Sequence, residues 1–255
     1  MARRREFGEG PIYTITNYVF WFLVGSLYFG LCSILFLFVF LTPQENPDSS
    51  VLFILIISLI PTGPAITALM SVMGKLVREK DARLTRDFFT AYKQGFKQSM
   101  VIWLLELGTI TILIIDILFF KKQSYGIFVI PIMYVIGIVI LLMGLYAFPL
   151  ISRFQLKTKD VIRLSFYYTI VKFKITFLNI AALFIGGFLL YKYTSIAIFF
   201  VTSAVCYMIM FYEKDILKEL EDQIGQGKQQ ELGDTSEGSD TTNRIFSDKI
   251  KHEDK

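Results

Sequence analysis

The sequence predicts an all-α fold: a polytopic transmembrane helical bundle of about six spans, with two basic amphipathic linker helices on the cytoplasmic side. Three observations predict it. Hydrophobic residues make up 54% of the chain, mean hydropathy is +0.53, and the apolar residues come in long runs. A soluble domain disperses them by pattern, so this is the composition of the membrane class. The connections between runs alternate between short turns and long basic stretches. With the N-terminus inside, the inner segments of 1–212 hold 16 Lys/Arg and the outer turns hold 3. The positive-inside rule favours that orientation, and six spans return the C-terminus to the cytoplasm.

Taken in order, Arg3, Arg4 and Arg5 lead through Gly8, Gly10 and Pro11 to a first run over 18–41, which carries no charge in 24 residues. At the usual helical rise that is about 36 Å, enough to cross. It is too long for a secretory h-region and no small-x-small site follows, so it reads as an uncleaved helix. The loop 42–50 has no Lys or Arg, and the second span covers 51–74.

Pro61, Gly63 and Pro64 fall inside that second span. The prolines lack a backbone N–H and the glycine has no side chain, so together they kink or break a helix. The part before Pro61 rises only about 15 Å, too little to cross alone. The segment therefore crosses with a kink at 61–64 or consists of two half-helices. In a bilayer the freed carbonyls need protein, water or hydroxyl partners, and Thr62 and Thr67 are candidates. Gly63, Thr67 and Ser71 fall at i, i+4 and i+8. They make a small-residue face on which a second helix can approach closely.

After Gly74 the chain turns basic, with Lys75, Arg78, Lys80, Arg83, Arg86, Lys93 and Lys97. Within it, 81–99 has Leu84, Phe88, Tyr92 and Phe96 at every fourth position. Such an amphipathic helix lies at the headgroup level or packs against the protein's own spans. Spans three (100–120) and four (125–149) are joined by the short turn Lys121–Ser124. A second basic linker, 157–174, carries the stripe Val161, Leu164, Tyr168, Val171 and Ile175. It resembles the first in kind. Spans five (175–191) and six (195–212) complete an integral membrane domain, 1–212, of net charge +9. The tail 213–255 has 7 Lys/Arg against 12 Asp/Glu, a net of −5. It begins as a charged helix to about Ile224 and then reads as disordered.

Glu106 and Asp116 are the ionisable residues within the apolar spans. A carboxylate in hydrocarbon is costly, so an intramembrane acid is a functional hypothesis by default. Glu106 lies about 9 Å from the inner end of its helix, within reach of a basic side chain of the 75–97 stretch. Asp116 is one turn from the outer end, near Lys121, Lys122 and Lys192. A structural ion pair is the preferred reading of Asp116, and for Glu106 it stands beside a functional one.

Enzyme chemistry has no residues to rest on. The single histidine, His252, is in the tail, and there is no CxxC and no HxxxH. No catalytic, cofactor-binding or metal-ligating set is expected, and Cys32 and Cys206 read as small buried residues. The basic excess lies between spans, where topology and anionic lipid at the cytoplasmic face explain it, so nucleic acid is not the expected partner.

The string Ile60-Pro61-Thr62-Gly63-Pro64-Ala65-Ile66-Thr67-Ala68-Leu69, the basic run through Lys75 and Arg78, and Asp87 through Ser99 resemble the YesL-like family. These are bacterial membrane proteins built on a domain of unknown function (number 624). The lead from Pro11 to Asn17 and the stretch Ala147-Phe148-Pro149-Leu150 are also similar. The resemblance covers about 7–212 in layout, and 60–99 is its specific part. It implies a small helical protein of the bacterial plasma membrane in a carbohydrate-utilisation context, with a membrane permease as partner. It provides no ligand or catalytic residue.

Two functional readings follow. One is an accessory or regulatory partner of a carbohydrate uptake system, using the 63–71 face and the basic linkers. The alternative is a small transporter or channel subunit with a discontinuous second span. Either is compatible with a homo-oligomer.

Overall fold

The computed structural model describes residues 11–42, 49–80, 83–121, 123, 125–193 and 199–225. Among them every regular element is a helix. The chain divides into two compact units, 1–213 and 214–255. The first contains α1 (Pro11–Cys32), α2 (Ile34–Leu41), α3 (Ser49–Leu59) and α4 (Thr62–Glu79). It continues with α5 (Leu84–Phe120), α6 (Gly126–Arg153), α7 (Thr158–Val171) and α8 (Phe173–Lys192). A last helix of this unit, α9, covers 201–213. In the second unit residues 214–225 are helical. The stretch expected to be disordered, beyond 225, lies outside the described residues.

Five stretches are long and apolar enough to cross a membrane: Ile15–Cys32, Phe53–Glu79, α5, α6 and α8. This is the architecture of a multi-pass membrane protein. The expected sixth span, 195–212, is not among them. Its first residues, 195–198, are not described, and the helical part 201–212 rises only about 18 Å before the charges at Glu213 and Lys214.

The first expected span is also not one helix. It starts at Pro11, a favoured first helical residue, and stops at Ser33. There the Ser33 N–H is shared between the carbonyls of Phe29 (2.9 Å) and Gly30 (3.2 Å). The last turn of α1 is thereby tightened and the chain restarts as α2, which packs against α3. No proline or glycine at 31–34 announces this break.

The core is formed by α4, α5 and α6, each packed on the other two, with α1 against α4 and α5 and with α7 against α6. Helices α4 and α5 form an antiparallel pair, so residues 84–103 run back along α4. The expected separate linker helix at 81–99 is therefore the opening of one 37-residue helix. Its length is about 56 Å, well beyond the roughly 30 Å of a hydrocarbon core. Nothing from Leu84 to Phe120 stops it: there is no proline, and each glycine costs a helix only about 1 kcal/mol. Leu84 and Phe88 are buried, and Phe88 meets Tyr28 of α1 at 5.6 Å between ring centroids. The Tyr28 hydroxyl also hydrogen-bonds Thr85 Oγ1 at 2.7 Å.

The second linker behaves differently. Helix α7 is set off from α8 at Lys172 (φ −96°, ψ 46°). Its buried face is Val161, Ser165, Tyr168 and Thr169. Of the expected apolar stripe, Leu164 is half-buried and Val171 is exposed. Two hydroxyl residues have taken their place in the packing, and one of them, Ser165, lines a cleft (below).

Candidate functional site

The second span is interrupted over two residues: α3 ends at Leu59, α4 begins at Thr62, and Pro61 between them keeps helical dihedrals (φ −73°, ψ −9°). Pro61 stands before α4 and Pro64 in its first turn, where missing N–H groups cost nothing. The freed Leu59 carbonyl accepts two hydrogen bonds, from the Thr62 hydroxyl at 2.6 Å and from the Trp103 indole Nε1–H at 2.7 Å. The requirement that buried carbonyls be partnered is thus met from within the chain.

Gly63 is what lets Trp103 come so close. A Cβ on residue 63 would overlap the Trp103 side chain, including its Cβ. One turn on, Thr67 donates to the Gly63 carbonyl at 3.2 Å, and its methyl faces Gly95 of α5. Gly63, Thr67 and Ser71 therefore face the chain's own α5. Gly63 and Thr67 are buried there, and half-buried Ser71 lines a small polar cleft with Gln94, Gln98 and Arg153.

Glu106 lies in α5 three residues past Trp103 and is 8% exposed. Its Oε2 has no hydrogen-bond partner, and no described basic side chain pairs with it. The expected partner in 75–97 does not reach it, because those residues lie in α4 or further back along α5. Lys97 is nine positions away on α5 itself, about 13 Å along the axis. Gly144 of α6 makes room for the carboxylate, since a Cβ there would overlap both carboxylate oxygens. Glu106 and Gly144 border two cavities. The smaller, about 190 Å³, also meets Thr109 and Ser165. The larger, about 450 Å³, is lined almost wholly by apolar side chains, Trp103 and Phe148 among them.

Asp116 is half-buried, and among the described residues it has no ion pair; Lys122, one of its expected partners, is not described. Glu106 and Asp116 are ten positions apart on one helix, so the structure does not bring them into one site.

A second buried acid escaped the sequence reading. Glu213 is 1% exposed and accepts a 2.7 Å hydrogen bond from Asn179 Nδ2 of α8. Lys214 and Asp215, which follow it, make it look like part of the charged tail. Close by on α8, Thr176 shares a 2.8 Å hydrogen bond with the Tyr146 hydroxyl of α6. Asn179, an amide inside an apolar run, was the available signal, since such residues usually bond across helices.

Among the described residues no group of three or more His, Cys, Asp and Glu is placed to hold a metal ion. Cys32 and Cys206 are free thiols in separate helices.

Residues 13–117 match the family model described as "Protein of unknown function, DUF624". The matched stretch runs from α1 almost to the end of α5 and takes in the helix break, Trp103 and Glu106. No curated protein and no solved structure matches the chain. The part of the molecule that builds the break is thus similar to a domain of unknown function, and α6 to α9 lie beyond the match.

Proposed function

We propose that this chain is an accessory or regulatory subunit of a carbohydrate uptake system in a bacterial plasma membrane, with both termini cytoplasmic. The sugar context and the YesL-like assignment rest on the resemblance at 60–99. One observation carries the accessory reading. The break in the second span is closed by the chain's own Thr62 and Trp103, so its carbonyl is used as scaffold. A transporter built on a discontinuous helix leaves such groups facing its substrate path.

The partner in this reading is a membrane permease, met through the apolar flanks of α5 and α6. Ile112 and Phe119 of α5 are each 60% exposed, and Phe128 of α6 is 78% exposed. The basic residues Arg83, Arg86, Lys157 and Lys159 at the other end suit anionic lipid. The reading contains no enzymatic step and no nucleic acid.

A second reading, a small transporter or channel subunit, is favoured by Glu106 standing between two cavities. Gentle-detergent purification from native membranes of cells grown on polysaccharide, with mass spectrometry of what is retained, separates the two. A stoichiometric sugar permease is expected. Recovery of this chain alone, or only as a homo-oligomer, would overturn the accessory reading and make flux of sugars in proteoliposomes the deciding assay.

A further inference from the structure

Two polar residues on different helices line one cleft, and each has a buried polar atom without a partner. Glu106 of α5 is 8% exposed with Oε2 unbonded, and Ser165 of α7 is 0% exposed with Oγ unbonded. Both line the 190 Å³ cavity between α5, α6 and α7. A buried polar group without a partner costs stability, and a carboxylate costs most. Native structures keep such groups where a ligand, ion or water completes them.

The walls say what kind of ligand fits. Beyond Glu106, Ser165 and Thr109, the cavity is lined by Ile102, Leu105, Ile140, Met143, Gly144, Ala147 and Ile162, all apolar. The Thr109 hydroxyl is already committed to the Leu105 carbonyl at 2.8 Å. That leaves the Glu106 carboxylate and the Ser165 hydroxyl as the polar groups with an unpartnered atom, in an apolar surround. On α6 the small residues Gly144 and Ala147 keep the space open, and a side chain at 144 would displace the carboxylate.

We infer that the Glu106–Ser165 cleft is a binding site for a primary ammonium carried on an apolar chain. The ammonium has three N–H donors and a positive charge. It pairs with the Glu106 carboxylate on the Ser165 side of the cleft, while the apolar chain lies against Ile102, Leu105, Ile140 and Met143. A neutral alcohol can meet one acceptor but gives no charge to the carboxylate, and an anionic amphiphile is repelled by it. A free alkylamine and an ethanolamine lipid headgroup share the primary ammonium, and only the alkylamine carries its apolar chain directly on it. The inference is independent of the accessory reading, since the cleft lies within one chain and needs no permease.

Trp103 lines the neighbouring cavity together with Glu106 and reports on the site. The chain has two tryptophans, Trp21 and Trp103, so the full chain carrying Trp21→Phe has a single reporter. That protein, in nanodiscs of phosphatidylcholine and phosphatidylglycerol, is titrated with octylamine, octanol and octanoate while Trp103 fluorescence is followed. Saturable octylamine binding is expected, at least tenfold tighter than octanol, with no response to octanoate. Glu106→Gln keeps the side chain's shape and should weaken octylamine at least tenfold. Ser165→Ala should weaken it two- to fivefold, and Asp116→Asn should leave it unchanged.

Nanodiscs containing phosphatidylethanolamine separate the two sources. Competition with octylamine there, and the lipid retained by wild type but not by Glu106→Gln in native mass spectrometry, identify the headgroup as the ligand. Octylamine binding unaffected by that lipid identifies a free amine. Equal octylamine affinity in wild type and Glu106→Gln, both eluting as folded monodisperse protein, would overturn the inference. So would octanol binding as tightly as octylamine, or a fluorescence change that never saturates.

Discussion

Helices α5 and α6 each have two unlike ends. On α6, every residue from Gly144 to Ile151 is buried, and none from 127 to 143 is. On α5, Leu84, Phe88, Ser99, Ile102, Glu106 and Leu107 are buried, and nothing from 108 to 120 is. Both ends are rich in apolar residues, so hydrophobicity does not distinguish them. What does is the company of small and hydrogen-bonding residues. Thr62, Thr67, Ser99, Glu106, Ser165, Thr169, Thr176 and Asn179 are all buried, and all belong to the packed end or to the helices against it. In lipid an apolar side chain gains little by exchanging a lipid tail for a protein neighbour. Close approach and satisfied polar groups then decide which helices meet. The packed end has both, and the other end presents its apolar side chains to whatever surrounds it.

The sharpest way to break this comparison is to put the same large side chain at one glycine from each end. A Cβ at Gly63 overlaps Trp103, whereas one at Gly108 meets nothing within 4 Å. Gly63→Leu should therefore lose about 3 kcal/mol or more, the upper range for overpacking a close contact. It also pushes Trp103 off the Leu59 carbonyl. Gly108→Leu should cost nothing and gain slightly from helix propensity. Reversible unfolding in mixed micelles measures both. Equal effects would mean that the α4–α5 contact does not organise the fold.

How much of this was legible in the sequence follows the same division. Pro61, Gly63 and Pro64 announce a break because their backbone chemistry is local. Trp103, which completes it, is 44 positions from Leu59, and no local pattern points from one to the other. The continuity of α5 was hidden for a related reason. The switch from a basic amphipathic pattern to an apolar run at about residue 100 marks a change of surroundings, and in the sequence alone it looks like a change of element. Glu106 was visible as an acid in an apolar run. Its cleft was not, because Gly144 and Ser165 come from other helices and are unremarkable in their own segments. Glu213 looked solvated because its sequence neighbours are charged, and its burial depends on Asn179, 34 positions earlier.

A second test asks whether a buried interhelical hydrogen bond outweighs one made within a helix. Asn179→Ala removes the 2.7 Å bond to Glu213 and leaves a fully buried acid without that donor. The cost of such an orphan is about 2–3 kcal/mol. Thr111→Ala at the loosely packed end removes a 2.7 Å bond from its own hydroxyl to the Leu107 carbonyl, one turn back. That carbonyl keeps its helical partner, so the change should stay within about 0.5 kcal/mol. Thermal unfolding of both variants in one detergent gives the ranking. A Thr111→Ala loss as large as that of Asn179→Ala would contradict the division between the ends.

The smallest expected effect belongs to the charges at the tip of the α4–α5 pair. Lys75 Nζ and Asp87 Oδ2 are 2.8 Å apart, with side chains 32% and 23% exposed, and Glu79 lies 4.0 Å from the same ammonium. A partly exposed pair of this kind contributes at most about 1 kcal/mol and is weakened by salt. The two partners are not equivalent, however. Asp87 Oδ2 also accepts the Arg83 backbone N–H at 3.1 Å, at the very start of α5, where a negative charge is favoured by the helix dipole. Lys75 has no such second role with α5, and Glu79 offers it an alternative carboxylate. Lys75→Met should therefore cost about 0.5 kcal/mol, an effect that disappears in 1 M salt. Asp87→Ala should cost about 1–1.5 kcal/mol, and roughly the capping share should survive the salt. If the two substitutions were equal at low salt and both vanished at high salt, the Arg83 contact would contribute nothing. The start of α5 would then be held by Leu84 and Phe88 in the packed end and by the Tyr28–Thr85 hydrogen bond.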